Sequence, residues 1–317
     1  MILIAGESGQ LGQELKRVFQ REGIKFDAPG LDEWDVTDRE KSHLIVKKYK
    51  PLVVINCAAY TAVDKAETEV EMAYRVNRDA AVMLSEAAKA ENAFMIQIST
   101  DFVFSAMDCK KHVDRVVELF KPEDKTHPQS VYAASKDAGD KAVVERFSGG
   151  GRFEGAAVIR TSWLYSKFGN NFVKTIVKLA SDESRESLRI IEDQIGRPTW
   201  AGRLAEFILE YIRYKKLFEK GEGPVEGDIL HFSNSGIASW YDFACAIVDI
   251  SLETNQIRKK IPVVPINTEE YQSRTPSCVA KRPHFSVMDL KKTRYIMPHI
   301  PHWKEDLREY FRDLTGQ

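Results

Sequence analysis

MILIAGESGQLG, residues 1–12, sets the reading of the whole chain. A short apolar run suited to a buried strand passes straight into Gly6, Gly9 and Gly12, and the amphipathic stretch GQELKRVFQRE (12–22) follows. Strand, glycine turn and helix in that order are what a bound dinucleotide needs. One glycine permits the tight turn, one lets backbone N–H groups approach a pyrophosphate, and one lets the helix pack close to the strand. The phosphates then lie on the positive end of the helix. Three glycines in seven residues can also be a plain turn, but the strand before and the helix after favour the dinucleotide. On this reading Gly6, Ser8, Gly9, Gln10, Leu11 and Gly12 touch the cofactor.

Further along, VVINCAA (53–59), MIQIST (95–100) and AAVIRTSWLY (156–165) are expected strands. Between the first two lies a long helical stretch with a break, KAETEVEMAYRVNRDAAVMLSEAAKAEN (65–92). Weaker strands are expected near Lys25 to Asp27 and at DILHFSN (228–234). Continuous apolar strands alternating with helices predict an α/β fold with a Rossmann-type, doubly wound parallel sheet covered on both faces. From about Gly169 the rhythm changes. LRIIEDQ (188–194) and KKIPVVPI (259–266) read as strands outside the main series, and WYDFACAIVDISL (240–252) as a helix covering them. The expected division is a dinucleotide-binding domain over residues 1–167, with 200–235 returning to it. A smaller substrate-binding domain takes 168–199 and 236–317. SGGGRFEG (148–155) reads as a surface loop, and 105–129 as a charged loop carrying a short helix, VDRVVELF (113–120).

Composition narrows the function classes. The 317 residues include 46 basic and 47 acidic ones, interspersed, for a formal charge of -1. No basic stripe suggests nucleic acid, and no basic amphipathic helix suggests a membrane surface. No apolar run approaches the roughly 20 residues that span a bilayer. Cys57, Cys109, Cys245 and Cys278 lie far apart, as reduced thiols do, and the chain begins without a signal-peptide pattern. The expectation is a cytoplasmic protein acting on a small molecule. Cys109-x-x-His112 and His299-x-x-His302 have ligand-like spacing but lack partner ligands in the sequence, so no metal site is expected.

The chemistry lies in PQSVYAASK (128–136), where Tyr132 precedes Lys136 by one helical turn, and in ISTD (98–101). Carbonyl reduction needs a proton at the oxygen as hydride reaches the carbon. A free phenol, with a pKa of about 10, is a sluggish donor. A neighbouring ammonium is expected to lower that value, and a hydroxyl such as that of Thr100 can hold the substrate oxygen in line. Tyr132, Lys136 and Thr100 are therefore the candidate catalytic residues.

The G-x-x-G-x-x-G turn joined to Y-x-x-x-K resembles the extended short-chain dehydrogenase/reductase family, which pairs the tyrosine and lysine with a Ser/Thr at the preceding strand end. NCAAYTAVDKAE (56–67), ISTDFVF (98–104), RTSWLYSKFGNNFVKT (160–175), DQIGRPT (193–199), SWYDFA (239–244) and RPHFSVMDL (282–290) resemble, more narrowly, the dTDP-4-dehydrorhamnose reductases. That resemblance covers nearly the whole chain. It implies reduction of the C4 ketone of a dTDP-sugar by NADPH or NADH, and it admits a homodimer. Thr100, Tyr132 and Lys136 match the family's catalytic residues. Thr100, Asp101, Trp163, Asn171 and Arg282 are implied on the substrate side. Asp35, Val36, Ala58, Ala59, Tyr60, Thr61 and Ser99, with Tyr132 and Lys136, are implied at the cofactor. Trp163 also suits core packing, and Arg282 also suits a plain surface position.

The chain departs from the family in reading YAASK and FSAMD, and in a longer insert before Tyr132. Gly30 and Leu31 stand where members often carry a ribose-binding Asp and a basic neighbour, so the choice between NADPH and NADH stays open. Some members bind a metal through glutamates at a dimer interface. Glu14 stands where the first would be, although a lone glutamate on a helix is ordinarily a solvated charge. Two other functions share the scaffold: a UDP-sugar reductase or epimerase, and a non-catalytic NADP-binding subunit like the methionine adenosyltransferase beta subunit.

Overall fold

The structure is a computed structural model, and it describes residues 1–104, 118–149, 152–219, 223, 225–275 and 280–315. Strand β1 (Ile2–Ala5) lies between β2 (Phe26–Asp27) and β3 (Val53–Asn56), both parallel to it. From β3 the sheet continues through β4 (Phe94–Thr100) and the strand Ala156–Thr161 to the edge strand Asp228–His231. All six strands are parallel.

The apolar runs predict this because both faces of each strand are buried. Ile2 and Ile4 point into one core with Leu11, Leu15 and Phe19 of helix α1 (Gln10–Arg21) and with Leu204, Phe207 and Ile208. Leu3 and Ala5 point the other way, against Leu84, Val143 and Phe147. The chain runs from β1 outward to β2 and then crosses back to β3. The sheet therefore has its switch point between β1 and β3, where α/β folds bind ligands beyond the strand ends.

Several expected elements end for reasons that are local. VVINCAA stops being a strand at Asn56, whose side chain turns back to accept from Ala58 N (3.1 Å) and to bond Gln97 (2.8 Å). AAVIRTSWLY splits because Trp163 takes a left-handed φ of 45°. Beyond that kink Leu164–Tyr165 leaves the main sheet and pairs with Thr199–Trp200. The break in the long helical stretch is a π turn, Arg75–Asp79, between Val70–Tyr74 and Ala80–Ala90. SGGGRFEG is not a plain loop, since Ser148–Gly149 pairs antiparallel with Arg152–Phe153.

Most of VDRVVELF lies outside the described residues. Its last residue, Phe120, is not helical: it stacks on Phe104 (4.5 Å between centroids) and bridges to Met288. The helix Ala201–Tyr214, which the sequence reading did not single out, packs against α1 over the same core. Outside the main sheet, Leu188–Ile191 and Val263–Ile266 pair parallel. They share a separate core with Phe243, Ile247, Trp303 and Leu307, which the helices Trp240–Glu253 and Trp303–Thr315 contribute.

The helix Val131–Phe147 carries Tyr132 and Lys136 and lies against the π turn. Close approach there requires Gly139, because a Cβ at that position would fall 2.2 Å from Asn77 O. Overpacking a tight contact costs about 1–3 kcal/mol or more. Gly139→Ala should therefore lower the urea midpoint clearly, whereas Gly149→Ala, with nothing within 4 Å of the added Cβ, should stay within about 0.5 kcal/mol.

Candidate active site

The glycine turn meets the end of β3 at the switch point. A Cβ on Gly6 would lie 2.4 Å from Ala58 N, and one on Gly12 would lie 2.4 Å from Gly6 O. Those two glycines are required by packing alone. Gly9 differs, because its added Cβ would meet only Gly6 O at 3.4 Å. It sits at the N-cap of α1, which has no side-chain cap and no acid in its first turn. An uncapped, exposed helix end beside a glycine is the arrangement that suits a pyrophosphate. The turn thus fits the expected dinucleotide.

Ser8 is exposed beside Gly9, Leu11 is buried in the core, and Gln10 accepts from Asn171 Nδ2 (3.0 Å). Asp35 is turned onto Thr37, accepting from its N–H (2.9 Å) and hydroxyl (2.8 Å), and both this and its partial burial shape its acidity. Val36 is buried next to it. Ala58, Ala59, Tyr60 and Thr61 follow the end of β3 beside the turn. Asn77, from the π turn, accepts from Tyr60 N (2.9 Å), donates to Tyr60 O (3.1 Å) and donates to Ser135 Oγ (2.9 Å). One amide thus ties the Tyr60 loop to the helix of Tyr132. Single-turn π bulges are frequent at functional sites.

Thr100 ends β4 and its hydroxyl accepts from Phe102 N (3.2 Å), starting the short turn Asp101–Val103. Across from it, Ser130 caps the helix Val131–Phe147, and Val131 N is held by Glu67 (2.8 Å). This places Tyr132 in the first turn, with its ring edge-on to Phe102 (5.6 Å) and its hydroxyl beside that of Thr100. Lys136, 2% exposed, reaches Ile98 O (2.7 Å). Ser99 donates to Asp140, which also faces Arg160 (3.7 Å). Asp140 stands one turn after Lys136, and that four-residue spacing was readable in the sequence. The strand position of Arg160 gave no such signal, nor did Asn77.

The electrostatics differ from expectation at the phenol. Burial pushes Tyr132 up to about 12, with Asp101 and Asp140 adding to the rise and the Thr100 hydroxyl opposing it. Lys136 does not lower it, because its ammonium is directed to Ile98 O and the Asp140 side. Burial lowers Lys136 itself, against the pull of Asp140. Burial also raises Asp101 to about 7, against hydroxyls of Ser286 and Thr100, and raises the Cys57 thiol to about 12.

Beyond Phe102 opens a cleft of about 350 Å³ whose walls include Trp163, Phe172, Gln194, Trp240 and Arg282. Trp163 stacks face to face on Trp240 (3.6 Å), and Arg282 holds Asp64 with two bonds (2.6 and 3.2 Å). Asn171 is not on the cleft wall. Its side chain caps the helix Phe172–Ala180 and bonds Ser166 O and Gln10, joining that helix to the glycine turn. Glu14 corrects its expectation. It is 1% exposed, not solvated, and accepts from Ser166 Oγ (2.7 Å) and Arg17 (2.9 Å).

Among the described residues no group of three or more His, Cys, Asp or Glu side chains converges. Cys109 and His112 lie outside those residues, and His299 and His302 precede the last helix. No described helix is long and apolar enough to cross a membrane.

A glycine turn at the sheet's switch point, with Thr, Tyr and Lys converging beside it, defines a nicotinamide-dependent oxidoreductase of the short-chain dehydrogenase/reductase type. More narrowly, the chain belongs to the family described as RmlD substrate binding domain, whose model matches residues 1–315. A spore coat polysaccharide biosynthesis protein, SpsK, of Bacillus subtilis is 34% identical over 99% of this chain and 98% of its own. A dTDP-4-dehydrorhamnose reductase of Aggregatibacter actinomycetemcomitans is 36% identical, covering 92% of this chain and 91% of its own. The crystal structure of a dTDP-4-dehydrorhamnose reductase from Bacillus anthracis in complex with NADP matches with a TM-score of 0.81 at 31% identity, over 98% of each chain.

Two outcomes follow from the geometry. An acid whose folded pKa lies above its unfolded one stabilises the fold fully below the unfolded value, and loses that contribution as pH rises through the folded value. Asp101, raised from 3.8 to about 7, therefore adds stability at low pH that is gone above neutrality. Asp101→Asn should flatten this slope, so that denaturation at a series of pH values shows the variant gaining on the parent between those limits. Gly9→Val, at φ -71°, should leave the thermal midpoint within a few degrees yet abolish dinucleotide binding in a titration. Gly12→Val should lower the midpoint instead, because its side chain meets backbone.

Proposed function

We propose that this chain reduces the C4 ketone of dTDP-4-dehydro-6-deoxy-L-mannose to dTDP-L-rhamnose, with NADPH or NADH as reductant. The observation that carries this reading is the convergence of Thr100, Tyr132 and Lys136 between the glycine turn and an aromatic cleft. The bound dinucleotide would supply a hydride to the ketone carbon. Gly6, Ser8, Gly9, Gln10, Leu11 and Gly12 would hold its pyrophosphate. Asp35 and Val36 would flank the adenine, and Ala58 to Thr61 with Ser99 the nicotinamide half.

Tyr132 delivers the proton to the ketone oxygen, which the Thr100 hydroxyl holds in line. At its raised value the phenol is fully protonated at neutral pH but a weaker acid than a free one, so the transfer depends on the positioning that Thr100 and the helix supply. The Lys136 ammonium anchors the nicotinamide ribose and so orients the hydride. Residues 168–199 and 236–317 form the substrate side. Facing that side, Trp163 with its stacked partner Trp240 lines the cleft for the nucleotide, Asp101 lies by the sugar, and Arg282 meets the diphosphate in exchange for Asp64. Asn171 acts by holding the glycine turn against this part. The family relationship and the near full-length likeness to dTDP-4-dehydrorhamnose reductases support the sugar nucleotide as substrate. The same reading puts the chain in the cytoplasm as a homodimer, whose mass light scattering would give.

The test is Tyr132→Phe, which removes one oxygen and little volume. Loss of a positioned acid costs about 100- to 10,000-fold, so kcat with the dTDP-4-keto sugar should fall by about that factor while KM stays nearly constant. A variant with ordinary turnover would overturn the assignment.

A further inference from the structure

The two nicotinamide cofactors differ at one position, the adenosine 2′ substituent. It is a neutral hydroxyl in NADH and a phosphate of about -1.5 to -2 charge in NADPH. In a Rossmann fold this substituent lies beyond the end of β2, next to the glycine turn. In this chain those two segments meet at Glu7 and Gly30. A Cβ on Gly30 would lie 4.0 Å from Glu7 Oε1, so the carboxylate stands over bare backbone. Lys16 and Gln13 both bond the other oxygen, Oε2, which leaves Oε1 turned toward Gly30.

The surroundings add to the negative charge. From Phe26 to Asp38 the chain carries Asp27, Asp32, Glu33, Asp35 and Asp38 and no Lys, Arg or His. Glu33 is turned to Lys48 (3.0 Å), Asp35 to Thr37, and Asp38 caps the helix Arg39–Tyr49. Lys41 and Arg75 act on Asp35. Among these carboxylates, Glu7 is marked out by an oxygen that faces the Gly30 backbone. Lys16 offsets one unit of its charge, and to reach a 2′-phosphate Lys16 would have to abandon it.

We infer that Glu7 makes this chain select a dinucleotide with a free adenosine 2′-hydroxyl, NADH over NADPH. The hydroxyl donates to Glu7 Oε1 in a charge-assisted hydrogen bond, whereas a phosphate meets like charge. The inference rests on the reading of the glycine turn as a dinucleotide site, and it assigns a specificity that the fold alone leaves free.

Calorimetric titration of the ligand-free chain with NADH and with NADPH tests it without reference to turnover. NADH should bind at least about tenfold tighter, which corresponds to about 1.4 kcal/mol. Glu7→Gln keeps the side-chain shape and should close most of that gap, chiefly by tightening NADPH. Adenosine 2′,5′-bisphosphate against AMP should reproduce the preference, since the difference lies in the adenosine half. Equal or tighter binding of NADPH to the unaltered chain, or an unchanged ratio in Glu7→Gln, would overturn the inference and leave the dinucleotide reading standing. Binding of neither dinucleotide would overturn that reading as well.

Discussion

A charged ammonium buried at the end of a parallel strand makes heavy demands on the groups around it. Removing an ion from water costs several kcal/mol unless partners replace the lost hydration. Lys136 finds them in Ile98 O and in Asp140, one turn along its own helix. Asp140 is itself buried, so it needs partners of its own, and it takes Ser99 from β4 and Arg160 from the next strand. Arg160 in turn donates to Pro122 O (3.0 Å) and lies over Phe104. One buried charge thereby organises a chain of polar groups through two strands, a helix and the loop after residue 118. A slip of the helix would part Lys136 from Ile98 O and Asp140 from Ser99 at the same time.

That seating also sets the proton chemistry. The same burial that taxes Lys136 raises Tyr132, Asp101 and Cys57 together. A thiol at about 12 is inert at neutral pH, so Cys57 beside Lys136 behaves as a small apolar residue and not as a nucleophile. A phenol at the same value keeps its proton throughout the neutral range. Two titratable groups thus flank the Thr100 hydroxyl, the phenol at about 12 and the Asp101 carboxyl at about 7.

What the sequence made legible was local. Strand, glycine turn and helix follow one another within the first 21 residues, and Tyr132 and Lys136 share a helix face, so spacing sufficed to read them. What it hid was long-range. Nothing near Asn77 says that its amide will span from Tyr60 to Ser135. Glu14 reads as a surface charge until Ser166, 152 positions on, folds over it. RTSWLY reads as one strand because the left-handed turn at Trp163 is imposed by its stack on Trp240 and its contact with Gly196, not by a glycine in the sequence. The direction of the Tyr132 shift was misread for the same reason. Y-x-x-x-K shows the neighbour but not the burial.

The tie between Arg17 and Asp313 (2.7 and 2.9 Å) bears on how such a chain comes off the ribosome. The helix that carries the phenol is complete at Phe147, yet Arg160, the edge strand Asp228–His231 and Ser286 are all made later. The first helix waits for the last one, 296 residues downstream. Contacts so distant in sequence slow folding and leave early segments exposed. An emerging chain would therefore hold its apolar β1, β3 and β4 without their final neighbours for most of synthesis. A truncation that keeps Thr100, Tyr132 and Lys136 but ends before Arg160 and Asp313 would lack the partners that Asp140 and Arg17 take from those later segments.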